Sequence, residues 1–192
     1  FLPPATIPAC HRALTESEAW PLAQSLVQPD GELELAFDHV QIALNLPPLS
    51  HVPGGPHIDG FGLGGDAPAS FSVLAGIFVT DQVQGLCGQL WVWPGSHLDH
   101  ARLFRERGTR VLEANGGHAT LLDPPMPLGA PVPVHGERGD LLLASYFLGH
   151  NHGGNSTDVV RRMLYYRLRR TDHAERWEDV FLDPLLEITG TS

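Results

Sequence analysis

Glycine and proline punctuation sets the length of every regular element this chain can form. Twenty-one Gly and 17 Pro are spread over 192 residues, and they cut the apolar sequence into short runs. Residues 71–80 (FSVLAGIFVT), 89–93 (QLWVW), 141–147 (LLLASYF) and 159–168 (VVRRMLYYRL) are such runs, rich in β-branched, aromatic and leucine residues. Their length and composition predict buried strands. Pro94-Gly95 stops the second run, and Gly139-Asp140 turns tightly into the third. Residues 33–46 (LELAFDHVQIALNL) are also strand-like. In the second half, Gln41, Ala43 and Asn45 share one face and Ile42, Leu44 and Leu46 the other, because side chains alternate along a strand. The polar face fits either an inner wall that touches a ligand or a solvent-facing edge.

Helical signals are few. Residues 1–14 read as an extended lead-in. Thr15-Glu16-Ser17-Glu18 has capping-box spacing and predicts a helix to about Val27, with Pro21 awkwardly inside it. Pro29-Asp30-Gly31 is a turn. Ser96 or Asp99 caps a second helix that runs to Arg107 and stops at Gly108. A short third helix is expected near Glu175 to Phe181. Many short strands with few helices predict one all-β domain over residues 1–192. The expected architecture is a jelly roll (a double-stranded β-helix, cupin-like) with a core at about 33–168 and a few flanking short helices. Within the all-β class, a jelly roll commonly carries a metal in its mouth.

Composition narrows the partners. The net charge of −10 argues against nucleic acid and anionic membrane surfaces. No apolar run approaches the ~18 residues of a membrane span. Two cysteines, Cys10 and Cys87, do not make a disulfide framework, so a reduced, cytoplasmic setting is expected. The expected state is a monomer or weak homodimer acting on a small molecule.

The chemistry-bearing residues are histidines near acids. With 11 His and 22 acidic residues, a His-x-acid pair is expected by chance, and four occur: His57/Asp59, His97/Asp99, His135/Glu137 and His173/Glu175. Context separates them. Asp99 is accounted for by helix capping. His135 and Glu137 precede a Gly-Asp turn and read as solvent-facing. His173 and Glu175 sit in a charged stretch (RRTDHAERWED) that reads as a solvated face. His57 and Asp59 lie between Gly54-Gly55-Pro56 and the glycine-rich Gly60-Phe61-Gly62-Leu63-Gly64-Gly65, with apolar strands on either side in sequence. Two apart on a frayed strand end, they project to the same side. The glycines are not a phosphate cradle, because they lack the spacing and no strand-to-helix switch follows. They read as a lid or a plain surface loop.

A third ligand follows the 141–147 strand, where His150 opens His150-Asn151-His152-Gly153-Gly154-Asn155. Spacing alone does not choose between His150 and His152. Two His and one carboxylate on one face of a metal leave the opposite face open, as in non-haem Fe(II) oxygenases. Arg161 and Arg162 lie in an apolar strand, so one faces inward and one outward. A buried guanidinium needs a partner and its fork matches a carboxylate, so the inward Arg implies an internal acid or a carboxylate ligand.

Together these residues resemble the phytanoyl-CoA dioxygenase family of Fe(II)/2-oxoglutarate oxygenases. His57-Ile58-Asp59 matches that family's H-x-D. Gly88-Gln89-Leu90-Trp91-Val92-Trp93-Pro94-Gly95-Ser96-His97 is similar to its G-x-L-x-x-x-P-G-S-H block. Gly139-Asp140, followed by His150, Asn155 and Arg161, resembles its G-D…H-x4-N-x5-R block. The likeness runs from about residue 41 to 168. It implies Fe(II) held by His57, Asp59 and His150, and a 2-oxoglutarate cosubstrate paired with Arg161. It also implies cosubstrate contacts from Asn45, Gln41 and His152. The implied reaction uses O2, releases succinate and CO2, and hydroxylates a small molecule. Ile58 stands where relatives often have Gln, and Ala43 where an Arg is common. Asp59 argues against a halogenase, which replaces the carboxylate with a small residue. Scarce Lys and net negative charge give no case for a CoA thioester. Arg102, Arg105, Arg107 and Arg110 read as solvated surface residues on or after a helix. The competing expectations are a cupin-type metalloenzyme that does not use 2-oxoglutarate and a non-catalytic metal-binding or sensing jelly roll.

Overall fold

The computed structural model of the chain describes residues 8–27, 31–36, 40–59, 61–63, 68–109, 111, 119–120 and 127–188. Its strands are β1 (Leu33–Leu35), β2 (Gln41–Asn45), β3 (His57–Ile58), β4 (Phe61–Leu63), β5 (Pro68–Ala69) and β6 (Val73–Phe78). They continue as β7 (Leu90–Val92), β8 (Ala119–Thr120), β9 (Val132–Pro133), β10 (Leu141–Ser145), β11 (His150–His152) and β12 (Arg161–Arg170). The helices are α1 (Pro8–Thr15), α2 (Ala19–Ser25), α3 (Ser96–Arg107) and α4 (His173–Leu182). Both the turn expected at residues 29–31 and the glycine-rich stretch after Asp59 lie largely outside the described residues.

Two antiparallel sheets carry the fold. In the larger, β12 is central, with β1 and β2 in line along one edge and β6 then β10 on the other. The second sheet runs β8-β3-β11-β7-β9, and β4 and β5 form a separate pair.

Period-two alternation sorts the side chains of β12. Met163 and Tyr165 enter a cluster with Leu74 and Phe78 of β6 and Ile58 of β3, so this cluster joins the two sheets. Leu164, Tyr166 and Leu168 enter a second cluster with Val73 and Ala75 of β6 and with Leu14, Ala19 and Ala23 of α1 and α2. The larger sheet is therefore covered on both faces, which is why residues 161–170 are nearly all buried. An aromatic nest closes one end: Phe104 of α3 and Phe181 of α4 have ring centroids 4.7 Å apart, and Phe147 lies 5.2 Å from Phe181. Edge-on pairs of this kind add ~0.5–1.5 kcal/mol each beyond the area they bury.

The helical expectations need correction. Residues 8–15 are helical rather than extended, and the helix expected from Thr15 to about Val27 is α2 alone. Glu18 is the α2 N-cap but makes no side-chain cap bond, so the capping box does not form. Pro21 falls in the first turn of α2, where a missing N–H costs nothing. In α3 the N-cap is Gly95, not Ser96 or Asp99. Ser96 Oγ instead accepts the Gly149 N–H at 2.7 Å, and the Trp93 N–H donates to the Gly149 carbonyl at 2.9 Å. These bonds fix the backbone immediately before His150.

The 33–46 run divides into β1 and β2, with residues 37–39 outside the described set. Asn45 lies opposite Arg161 and Gln41 opposite Tyr165, so the polar face of β2 turns inward. Ile42, Leu44 and Leu46 are exposed. Asn155, fully buried, ties this strand to the loop after β11. Its Nδ2 donates to the carbonyls of Asn45 (3.0 Å) and Val159 (2.8 Å), and its Oδ1 accepts from Thr157 Oγ1 at 2.7 Å. Gly88 is required beside it: its φ is +78°, and a Cβ there would stand 2.8 Å from Asn45 Cγ. Among the described residues, no helix is long and apolar enough to cross a membrane.

Replacing Asn155 with Ala removes the side-chain donor from the buried Asn45 carbonyl and from the partly buried Val159 carbonyl. Asn155→Ala should lower unfolding free energy by about 2–3 kcal/mol. Urea titration would register this as a lower midpoint with an unchanged slope.

Candidate metal and cosubstrate site

His57 and His150 lie directly opposite one another across the β3–β11 pair. Directly opposed residues present their side chains to the same face of a sheet, which explains the 4.6 Å between the two ring centroids. Asp59, one residue beyond the end of β3, turns its Oδ1 toward both rings, 4.0 Å from His57 Nε2 and 3.6 Å from His150 Nε2. One donor atom from each residue lies within 4.8 Å of the others, and among the described residues this is the only such cluster of three or more. Cis ligands of an octahedral ion with bonds of ~2.1 Å stand ~3 Å apart, so the donor set is close to the spacing one cation requires. His150 Nδ1 is 2.9 Å from the Leu148 carbonyl. A carbonyl only accepts, so Nδ1 carries the proton and Nε2 keeps its lone pair for a metal.

The second oxygen of Asp59 is taken. Arg167 donates to Oδ2 from Nε at 2.9 Å and from Nη2 at 2.6 Å. Burial of Asp59 favours its neutral form. Its interactions with His150 and with the Arg167 guanidinium outweigh that and hold the carboxyl far below the usual range.

The three donors open into a cavity of about 350 Å³. Arg161, Tyr165 and Arg167 line it, and so do the three remaining predicted contact positions, Gln41, Asn45 and His152. Arg161 is 5% exposed, whereas Arg162 faces solvent, so alternation sends the former inward. Its Nε donates to Gln82 Oε1 at 3.1 Å and its Nη2 to Tyr165 Oη at 2.7 Å. Both partners are neutral. Burial raises the Tyr165 pKa, partly offset by Arg161, so it stays a phenol. None of the ion pairs among the described residues includes Arg161.

The other predicted positions have protein partners as well. Asn45 Nδ2 donates to the Gly153 carbonyl at 2.8 Å, and Gln41 Oε1 accepts from Arg167 Nη2 at 3.0 Å. His152 is exposed at the cavity rim, with burial, Arg161 and His51 lowering its pKa. The rejected His-x-acid pairs stay away from the cavity, but His173 does not face solvent as expected. It is buried, with Nε2 2.8 Å from Ser70 Oγ and Nδ1 2.8 Å from Glu187 Oε2. Sequence reading missed Arg167, Tyr165 and Gln82. The first two share the parity of Arg161 on β12, so alternation could have found them; nothing local distinguishes Gln82.

Comparison with solved structures yields the same architecture. HygX from Streptomyces hygroscopicus, with nickel, 2-oxoglutarate and hygromycin B bound, superposes with a TM-score of 0.55 at 18% identity, covering 85% of this chain and 66% of HygX. The iron-bound form of HygX gives 0.53 at 21% identity, over 88% and 70% of the two chains. EvdMO1 gives 0.52 at 20% identity, over 82% of this chain. The chain spans about a third of the length of EvdMO1 and about two thirds of HygX. At these identities the likeness is one of fold. No family model matches the sequence, and comparison with curated proteins gives no match.

The ionised Asp59 makes metal-free stability sensitive to acid. Its folded pKa lies below the unfolded value of ~3.9, so its contribution is present above that pH and is lost as pH falls toward the folded value. Metal-free Asp59→Asn should have a lower thermal midpoint than the parent at pH 7. The gap should narrow below about pH 4 when calorimetric scans are compared across pH.

Proposed function

We propose that this chain is an Fe(II)/2-oxoglutarate-dependent oxygenase domain of the phytanoyl-CoA dioxygenase type, built on a jelly roll, and that it hydroxylates a small molecule. The observation that carries the reading is Arg161. A guanidinium buried among neutral partners, in the same cavity as a two-His-one-carboxylate cluster, has no counter-ion among the described residues. Burying a charge unpaired is expensive. A carboxylate-bearing cosubstrate that also reaches the metal removes that cost. HygX, which shares the fold, has been solved with 2-oxoglutarate and a metal bound, and its hygromycin B ligand is a small molecule. The three sequence blocks that resemble the family include all three cluster residues and Arg161.

In this reading His57, Asp59 and His150 hold Fe(II) from one side. An iron ion held there, with 2-oxoglutarate and O2, would supply the oxidising power to attack a substrate C–H bond. The Leu148 carbonyl keeps His150 in the tautomer that presents Nε2. Arg161 binds the distal carboxylate. Its donation to Tyr165 Oη leaves the phenol O–H able to donate to the same carboxylate. Ala43, Leu74 and Leu90 give the cavity an apolar wall that limits water near the reacting groups. Asn45 and His152 complete the polar wall, Asn45 through the Gly153 backbone and His152 from the rim. A metal-binding jelly roll that does not use 2-oxoglutarate leaves the buried Arg161 unexplained.

Succinate release from 2-oxoglutarate, with Fe(II) under air, tests the reading. Arg161→Ala should raise the 2-oxoglutarate KM by about 10- to 100-fold, the worth of a charge-assisted hydrogen-bonded pair. An unchanged KM would remove Arg161 from the site. His150→Ala should abolish both turnover and tight metal binding, while His152→Ala keeps the metal. Calorimetric titration with Co(II) distinguishes the two, and the reverse pattern would show the wrong histidine was assigned.

A further inference from the structure

Arg167 is absent from the ligand set and from the cosubstrate contacts, yet among the described residues it is the cation that grips the cluster's carboxylate. It is 6% exposed and places two N–H groups on a single oxygen of Asp59. The same Nη2 that donates to Asp59 also donates to Gln41 Oε1, and its guanidinium carbon lies 5.8 Å from the centre of the Phe71 ring. The guanidinium is therefore held by a neighbouring strand, through Gln41 of β2, as well as by its own.

The two oxygens of Asp59 are thereby made unequal. Oδ2 is occupied by the fork, and Oδ1 faces His57 and His150. A carboxylate free to rotate about its terminal torsion can offer either oxygen, or both, to a cation. We propose that Arg167, braced by Gln41, is a positioning residue that reserves one Asp59 oxygen and fixes the carboxylate as a one-oxygen ligand. This rests on the assignment of His57, Asp59 and His150 as metal ligands. It goes beyond it by giving β12 two separate tasks on one face. Arg161 answers to the cosubstrate, and Arg167 answers to the metal ligand. A one-oxygen carboxylate leaves adjacent coordination positions free for a chelating cosubstrate. It also gives Gln41 a role through Arg167 rather than by direct contact with cosubstrate.

Co(II) is the probe, because its visible absorption reports ligand number and geometry without turnover. The decisive variant is Arg167→Lys, which keeps the charge and removes the two-pronged grip. Its Co(II) affinity should fall by about 10- to 100-fold, the usual effect of losing an outer-shell partner, and its absorption band should change. Gln41→Leu should shift both in the same direction and by less. Thermal unfolding run in parallel separates this from general destabilisation, which moves the midpoint and leaves the band of the folded protein alone. If the parent binds Co(II) and loses it on His57→Ala, but Arg167→Lys and Gln41→Leu bind within twofold with an unchanged band, the positioning role is wrong and the ligand assignment stands. If the parent itself binds no Co(II) that His57→Ala removes, the ligand assignment fails first. Should Arg167→Lys not fold, Gln41→Leu alone decides: a shifted band supports the role, and an unchanged band overturns it.

Discussion

The alternation of side chains along β12 is the constraint on which the site depends. Its register against β2 and β6 turns Arg161, Met163, Tyr165 and Arg167 to one side and Leu164, Tyr166 and Leu168 to the other. A slip of one residue would bury Arg162 in place of Arg161 and send Tyr166 into the cavity. Burial on both faces makes that slip costly, because it would expose one apolar set to the polar cavity and drive charges into helix-covered core. Gly76, opposite Tyr165, shows how closely the register is enforced. A Cβ there would come within 2.9 Å of the Tyr165 ring.

Charge is arranged with similar constraint. The protein is strongly acidic as a whole, yet its cavity gathers two buried guanidinium groups and one carboxylate. Asp59 and Arg167 answer each other directly. Among the described residues, Arg161 is held by a glutamine and a phenol. In a low-dielectric interior that asymmetry matters more than net charge, because a neutral partner stabilises a cation far less than a carboxylate does. The unevenness separates an ion pair complete within the protein from a guanidinium with no carboxylate partner among the described residues.

Much of this was legible in the sequence for a physical reason. Turn residues delimit strands because backbone geometry is local, and a His-x-acid pair at a strand end projects to one side for the same cause. Thus the strand runs at 71–80, 141–147 and 159–168 coincide with β6, β10 and β12 to within a few residues. The helical signals fared worse. The N-terminal capping box predicted the wrong start, because α1 and α2 are held by the apolar cluster they cover rather than by their caps. His173 was misread for a related reason. Its neighbours in sequence are charged, but its partners, Ser70 and Glu187, are 103 and 14 residues away.

By itself the sequence determined which residues could serve a metal and roughly where the long strands β6, β10 and β12 run, since both follow from residue type and short-range spacing. It also limited the inward arginine to one of two adjacent positions. Only the tertiary structure decided that His57 and His150 face each other, that the polar face of β2 turns inward, and that Arg167 grips Asp59. Those three facts rest on contacts between residues about 90 to 120 positions apart in the chain. Local preference carries no record of such pairings, because they are selected by the burial of both faces of the sheet at once.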